Sequence, residues 1–229
     1  MLKEILNNEN FKRFLTGSIL GFCFFYSYFH TTLLFTFILF ALLLIILFFE
    51  WPKLINYQLN SYKFWLISFF YPILPVFSLI YLNIFYREQD FILPLYPFIV
   101  SWVADTGAYI LGKLFGKHKI CPTISPGKSW QGLFGGFISV FIFNIFFLPG
   151  IKSAPFIFYL NNIYFILLFS FLVTIISFFG DIFISKLKRN KGLKDTGSLL
   201  PGHGGLLDRF DSVLFVAVLI FIIIIFNKL

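Results

Sequence analysis

Residues 181–211 read DIFISKLKRNKGLKDTGSLLPGHGGLLDRFD, a polar island between two runs built almost wholly of Phe, Ile, Leu and Val. The island holds four of the chain's ten acidic residues, Asp181, Asp195, Asp208 and Asp211, and six of its eighteen basic ones. Charge is expensive beside a bilayer core, so ionisable groups clustered against apolar spans mark a functional site. If the preceding helix continues through Asp181, then Asp181, Ser185, Lys188 and Arg189 fall at i, i+4, i+7 and i+8, along one face. Asp208 and Asp211, at i and i+3, share a face of the next helix. Between them Pro201-Gly202-His203-Gly204-Gly205 is a turn with little side-chain bulk, where backbone N–H groups can approach an anion. Carboxylates converging from two helices beside Lys and Arg suit Mg²⁺ carrying a polyphosphate: oxygens hold the metal and cations hold the phosphates. A solvated cytoplasmic loop obeying the positive-inside rule would account for Lys186, Lys188, Arg189, Lys191 and Lys194. It would not account for four Asp residues or for the glycines around His203.

Working outward, composition sets the class. Apolar residues make up 59% of the chain and charged residues 12%, against roughly half and a quarter in soluble proteins. With 37 Phe in 229 residues, a water-soluble globule would be left with a large exposed apolar surface. The expected fold is therefore all-α, a polytopic integral membrane helical bundle with about seven transmembrane helices, near 14–30, 31–49, 64–85, 91–112, 132–149, 156–179 and 211–226. Pro72 and Pro75 are expected to kink the third, and Pro94 and Pro97 to sit in the first turns of the fourth. A division near residue 90 separates N-terminal transmembrane helices (1–90), nearly free of ionisable groups, from a motif-bearing catalytic region (91–229).

Charge counting gives the orientation. With the N-terminus inside, segments 1–13, 50–63, 113–131 and 180–210 carry fourteen Lys and Arg through Lys194, plus Arg209 at the last boundary. The outer loops 86–90 and 150–155 carry Arg87 and Lys152 only. The net charge of +8 then reflects loops meeting anionic headgroups and an anionic substrate, with no nucleic acid as a partner. Cys23 and Cys121 form no CxxC pair, which points to neither a disulfide framework nor a zinc site. The first apolar run leads straight into the second and is read as a retained span, not a cleaved signal peptide.

Two further constellations lie upstream. Ser101, Asp105, Ala108 and Gly112 follow i, i+4, i+7 and i+11, a small polar face that either packs a helix closely or, through Asp105, serves a site. The stretch Ile124-Ser125-Pro126-Gly127-Lys128-Ser129-Trp130-Gln131-Gly132 contains Gly-Lys-Ser but lacks the first glycine of GxxxxGK[ST] and has no preceding strand, so it is not a P-loop. Lys128 is the phosphate-binding candidate there, against the alternative of a snorkelling boundary lysine. His30 reads as interfacial and His118 as solvated, whereas His203 is placed to face a phosphate.

Taken together, Ser185-x-Leu187-Lys188-Arg189, then Lys194-Asp195, Gly197, and Leu200-Pro201-Gly202-His203-Gly204-Gly205-Leu206-Leu207-Asp208-Arg209-Phe210-Asp211 resemble, without a gap, the signature of phosphatidate cytidylyltransferases, also called CDP-diacylglycerol synthases. Asp105, Thr106, Ala108, Tyr109, Gly112 and Lys113 are similar to the family's second characteristic stretch, and Ser125 to Gly132 to its Ser-Pro-x-Lys-Thr-x-Glu-Gly loop. Departures are Gly127 where a second Lys is common, Ser129 for Thr, Gln131 for Glu, and Ile184 where an acid usually precedes Ser185. Gln131 is accordingly given neither a metal nor a base role. The resemblance covers roughly residues 91–229, and the chain looks short for the family.

The resemblance implies an enzyme that condenses CTP with phosphatidic acid in the bilayer, releasing pyrophosphate and forming CDP-diacylglycerol for phospholipid biosynthesis. Its expected location is a bacterial inner (cell) membrane, with the active site facing the cytoplasm, and it allows a homodimer. Asp181 and Asp208 are the expected Mg²⁺ ligands, with Asp211 a third or supporting group. Lys188, Arg189, Lys194 and Arg209 would bind the two anionic substrates, with Ser185, His203, Lys128 and Asp105 assisting. The alternatives are a CTP-dependent polyprenol (dolichol-type) kinase or an anion transporter, the latter disfavoured because no duplicated half is visible.

Overall fold

The computed structural model describes residues 9–151, 162–201 and 204–226, with side chains from residue 15 onward. Among the described residues there are seven helices: α1 (Glu9–His30), α2 (Thr32–Leu54), α3 (Tyr62–Tyr86), α4 (Leu93–Phe115), α5 (Trp130–Gly150), α6 (Ile163–Asn190) and α7 (Leu207–Phe226). A hairpin of β1 (Lys119–Cys121) and β2 (Ser125–Ser129) joins α4 to α5. Helices α2 to α7 are each long and apolar enough to cross a membrane, which makes this a polytopic helical membrane protein. Among the described residues six helices meet that measure where the sequence suggested about seven; α1, the other helix, opens with Glu9, Lys12 and Arg13 and carries Thr16, Gly17, Ser18, Ser27 and His30 among its apolar residues. The sixth expected span, 156–179, corresponds to α6, and its first residues lie outside the described ones.

Local chemistry explains the irregularities. Helix α3 breaks at Tyr71 (φ −157°, ψ 120°), the residue before Pro72, where the proline ring disfavours the helical region. The break is absorbed by a π turn, Phe69–Ile73, and α2 contains a second, Ile46–Glu50. Helix α6, at 28 residues, is about 42 Å long, more than an untilted crossing of the roughly 30 Å hydrocarbon core requires. The expected continuation through Asp181 is present, and Lys188 and Arg189 occupy its last turn, where cations favour the helix dipole.

The chain divides into two compact units, Met1–Val76 with Leu187–Phe210, and Phe77–Lys186 with Asp211–Leu229. In the first, Phe35 packs edge-on against Phe24 and Tyr28, and the Trp51 indole donates to Ser68 Oγ at 3.0 Å. In the second, Leu82, Tyr96, Val100, Val140, Phe169, Val173, Val216 and Ile220 form a buried core.

Lipid tails are as apolar as leucine, so close packing and interhelical hydrogen bonds hold such a core together. Both are present in the second unit. The small face of α4 meets the glycines of α5. A Cβ on Gly132 would lie 2.9 Å from the Ala108 carbonyl, and one on Gly136 would lie 3.0 Å from that of Ala104. A buried polar chain crosses three helices: Tyr96 donates to Asn144 Oδ1 at 2.9 Å, and Asn144 Nδ2 donates to Ser170 Oγ at 2.8 Å. Asn144→Leu strands the buried Tyr96 hydroxyl. We expect a loss of about 1–2 kcal/mol, seen as a lower thermal midpoint in detergent; an unchanged midpoint would show that the chain contributes nothing.

Candidate active site

In the second unit the hairpin, α4, α5 and α6 enclose a cleft of about 250 Å³ lined by Asp105, Tyr109, Ser125, Lys128, Phe178 and Asp181, among others. Each wall has a local cause. In the hairpin Lys119 lies opposite Ser129 and Cys121 opposite Ser125, with a register shift between the pairs, and Ser129 Oγ then caps α5 by accepting from Gly132 N at 3.1 Å. Gln131 at the start of α5 reaches back to His118, Nε2 to Nδ1 at 2.9 Å, and so pins the hairpin to the helix. That contact uses Gln131 outside the cleft.

Within the cleft, Lys128 Nζ lies 2.7 Å from Asp181 Oδ2 and 4.6 Å from the centroid of the Phe178 ring. Lys128 is therefore held by a carboxylate and an aromatic face at once, unlike a boundary lysine that runs out to water. Asp181 also accepts from Ser185 Oγ at 3.2 Å, one helical turn on. Asp105 Oδ2 accepts from Ser212 Oγ at 3.3 Å, and Asp211 Oδ1 accepts from the Ser212 backbone N–H at 2.8 Å. Three expected acids, Asp105, Asp181 and Asp211, thus belong to one unit together with Lys128 and Ser185.

Asp208 belongs to the first unit and has its own lysine. Lys188 Nζ donates to Asp208 Oδ1 at 2.7 Å, with both side chains nearly enclosed. Asp208 Oδ2 accepts from Thr196 N at 2.8 Å, Thr196 Oγ1 at 3.0 Å and Gly205 N at 3.0 Å. These bonds explain the glycines. Gly204 has φ +82°, a left-handed conformation that favours glycine, and a Cβ on Gly205 would overlap Thr196 Oγ1. Of the other expected residues, Arg189 donates to the Leu193 carbonyl at 2.8 Å and closes the end of α6. Lys194 and Arg209 are exposed, and His203 lies outside the described residues.

Two contributors escaped sequence reading. Thr196 lies between Asp195 and Gly197, at a position the signature leaves open. Glu50, an acid next to Phe48, Phe49 and Trp51 near the end of α2, stands at the boundary between the span 31–49 and the segment 50–63, whose lysines set the orientation. An isolated ionisable residue in an apolar run was the available signal.

The oxygens present suit Mg²⁺ in a specific way. Among the described residues, no three carboxylate, imidazole or thiol side chains gather closely enough to hold a metal alone. Mg²⁺ ordinarily takes one or two carboxylates and completes its shell with water and substrate phosphates, which Asp105 and Asp181 on an open cleft can provide for. Asp208 suits it less well: its oxygens already accept from Lys188 Nζ, Thr196 N and Gly205 N, with the Thr196 hydroxyl also within 3.0 Å.

Six candidate spans together with two lysine–aspartate pairs, one in each unit, define a class: a polytopic membrane protein with charged groups enclosed among apolar helices. The chain belongs to the cytidylyltransferase family, whose profile matches residues 2–226 and so takes in the N-terminal helices as well as the motif-bearing part. Curated relatives include the phosphatidate cytidylyltransferase of Staphylococcus haemolyticus (strain JCSC1435), 47% identical over 131 residues, which is 57% of this chain and 48% of that protein. Those of Staphylococcus epidermidis (strain ATCC 12228 / FDA PCI 1200) and Staphylococcus aureus (strain N315) are 42% and 40% identical over the same shares. The chain thus spans about half the length of the curated relatives it matches.

Proposed function

We propose that this protein transfers CMP from CTP to phosphatidic acid, forming CDP-diacylglycerol and releasing pyrophosphate. The observation that carries the proposal is the cleft in which Lys128 and Asp181 pair at 2.7 Å beside Asp105 and Ser125. Family membership and the names of the relatives support it. Small-molecule sites run to roughly 300–1,000 Å³, so a cleft of about 250 Å³ suits the phosphates of a nucleotide better than a whole nucleotide and lipid. The acyl chains would stay in the bilayer.

Both reactants are anions, and their repulsion is a large part of the barrier. In the proposed reaction an oxygen of the lipid phosphate attacks the α-phosphorus of CTP. The bond from that phosphorus to the bridging oxygen breaks, and pyrophosphate leaves with the electron pair. The nucleophile is already ionised at neutral pH, so no residue need act as a strong base. Lys128 exchanges its pairing with Asp181 for a phosphate oxygen, and Ser185 keeps Asp181 oriented through the 3.2 Å hydrogen bond. Magnesium, held by Asp181 and Asp105 with Asp211 as a supporting group, and completed by water and phosphate oxygens, would supply charge neutralisation and a template for in-line geometry. Asp208 is already committed to Lys188 and to the amides of Thr196 and Gly205, so we assign it to holding Lys188 and the Thr196–Gly205 loop. Lys194 and Arg209 are the proposed exposed contacts for phosphate oxygens. The excess of Lys and Arg in the segments around these motifs supports a cytoplasmic face.

The test uses the purified protein in mixed micelles with phosphatidic acid and CTP labelled at either the α- or the γ-phosphate. We expect α-label, and no γ-label, in the extracted lipid, with one pyrophosphate released per lipid labelled. Transfer of γ-label would instead show a lipid kinase.

A further inference from the structure

We infer that Glu50 is a positioning residue that presets the loop carrying Asp208, a role that rests on the reaction proposed above. Glu50 closes the π turn Ile46–Glu50 of α2, a geometry that departs from regular helix and re-aims a side chain, and it is 2% exposed. Its carboxylate is spent entirely on residues of the signature loop in its own unit. Oε1 accepts from Leu206 N at 2.7 Å, and Oε2 accepts from Leu207 N at 2.8 Å and faces Thr196 Oγ1 at 3.0 Å. The first two are N–H groups at the entry to α7 that no helical carbonyl can satisfy, and a carboxylate there is favoured by the helix dipole.

The link to Asp208 runs through Thr196. Its hydroxyl lies 3.0 Å from Glu50 Oε2 and 3.0 Å from Asp208 Oδ2. A hydroxyl has one hydrogen, so it serves one carboxylate at a time, and the position of each constrains the other. The loop leaves no slack at this point. A Cβ on Gly205 would lie 2.8 Å from both Glu50 oxygens, and one on Gly197 would lie 3.1 Å from Oε1. Glu50 therefore fixes both ends of the Thr196–Leu207 segment, and Asp208 with its partner Lys188 is held where that segment closes. Glu50 is one residue removed from Asp208, so it acts through the loop and is not a catalytic residue.

The test combines Glu50→Gln and Thr196→Val in the full-length protein, read by amide hydrogen exchange and by CTP-dependent turnover. A glutamine keeps the shape of Glu50 but replaces one acceptor oxygen with a donor, so one of Leu206 N and Leu207 N loses its bond. Glu50→Gln should speed exchange at Leu206 and Leu207, and also at Thr196 and Gly205, whose amides bond to Asp208 and not to Glu50. It should lower kcat by about 10–100-fold, the scale on which small misplacements remote from the reacting atoms act, with KM for CTP within about twofold. Thr196→Val should lower kcat about tenfold while leaving Leu206 and Leu207 protected, which keeps the question decidable if Glu50→Gln fails to fold. Faster exchange confined to Leu206 and Leu207 makes Glu50 a helix cap only and overturns the inference. So does a Thr196→Val protein with wild-type kcat. If the unsubstituted protein shows no turnover with CTP, the proposed reaction falls, and exchange at Thr196 and Gly205 still decides the role of Glu50.

Discussion

Asp208→Asn is expected to lower CMP transfer by about a thousandfold or more, at any Mg²⁺ concentration. The reason lies in what the carboxylate holds. Lys188 is nearly enclosed and has Asp208 Oδ1 at 2.7 Å, while Oδ2 gathers Thr196 and Gly205. An asparagine can present an acceptor to the lysine or to the loop amides, but not to both, and whichever it deserts is left facing an NH₂ group. Breaking an enclosed ion pair by removing one partner costs about 3–5 kcal/mol of stability. The rate falls because Lys188, a proposed cation for the anionic substrates, loses its fixed place, and a thousandfold corresponds to about 4.1 kcal/mol of transition-state stabilisation. Part of the loss should appear as faster hydrogen exchange at Thr196 and Gly205, with the spans still inserted and helical. Turnover within about tenfold of wild type would remove Asp208 and Lys188 from the chemistry and leave them as a structural pair.

Lys128→Ala is the second large effect, expected at about a hundredfold in kcat/KM for CTP. In the resting cleft Lys128 offsets the charge of Asp181, with Asp105 on the same wall. Removing it leaves two carboxylates facing an incoming triphosphate, so the effect should fall on nucleotide binding more than on stability. A hundredfold corresponds to about 2.7 kcal/mol, within the range for a charge-assisted contact in a partly enclosed site. Lys128→Arg should recover only part of it, because a bulkier guanidinium that can grip Asp181 with two donors and stack on Phe178 is slower to yield to a phosphate oxygen than a compact ammonium. The neighbouring Lys117, exposed at the foot of the hairpin, supplies the contrast: Lys117→Ala should stay within about twofold of wild type. Because Lys128 and Asp181 touch, Lys128→Ala and Asp181→Asn should be strongly non-additive in combination. Equal effects at Lys117 and Lys128 would mean that general surface charge, and not the cleft, attracts CTP.

What the amino-acid order by itself determined was everything that depends on local hydropathy and on spacing along one helix. Phe-, Ile- and Leu-rich runs of span length, Pro72 as a break, α6 continuing through Asp181, and the small face from Ser101 to Gly112 are readable because neighbours at three and four residues lie together whatever the rest of the chain does. The signature singles out Lys188, Lys194, Asp208 and Asp211 as candidates for the same reason, as a fixed pattern in one segment. Pairing was not readable. That Lys128 takes Asp181 and Lys188 takes Asp208, that Gln131 holds His118, and that Glu50 reaches across 146 residues to Thr196 are all choices among equally charged or polar candidates. Such choices depend on distances of a few ångströms set by helix packing, and spacing along the sequence carries no trace of them. Only the folded chain decides which buried carboxylate meets which donor, because an enclosed charge must be satisfied by whatever packing brings within about 3 Å.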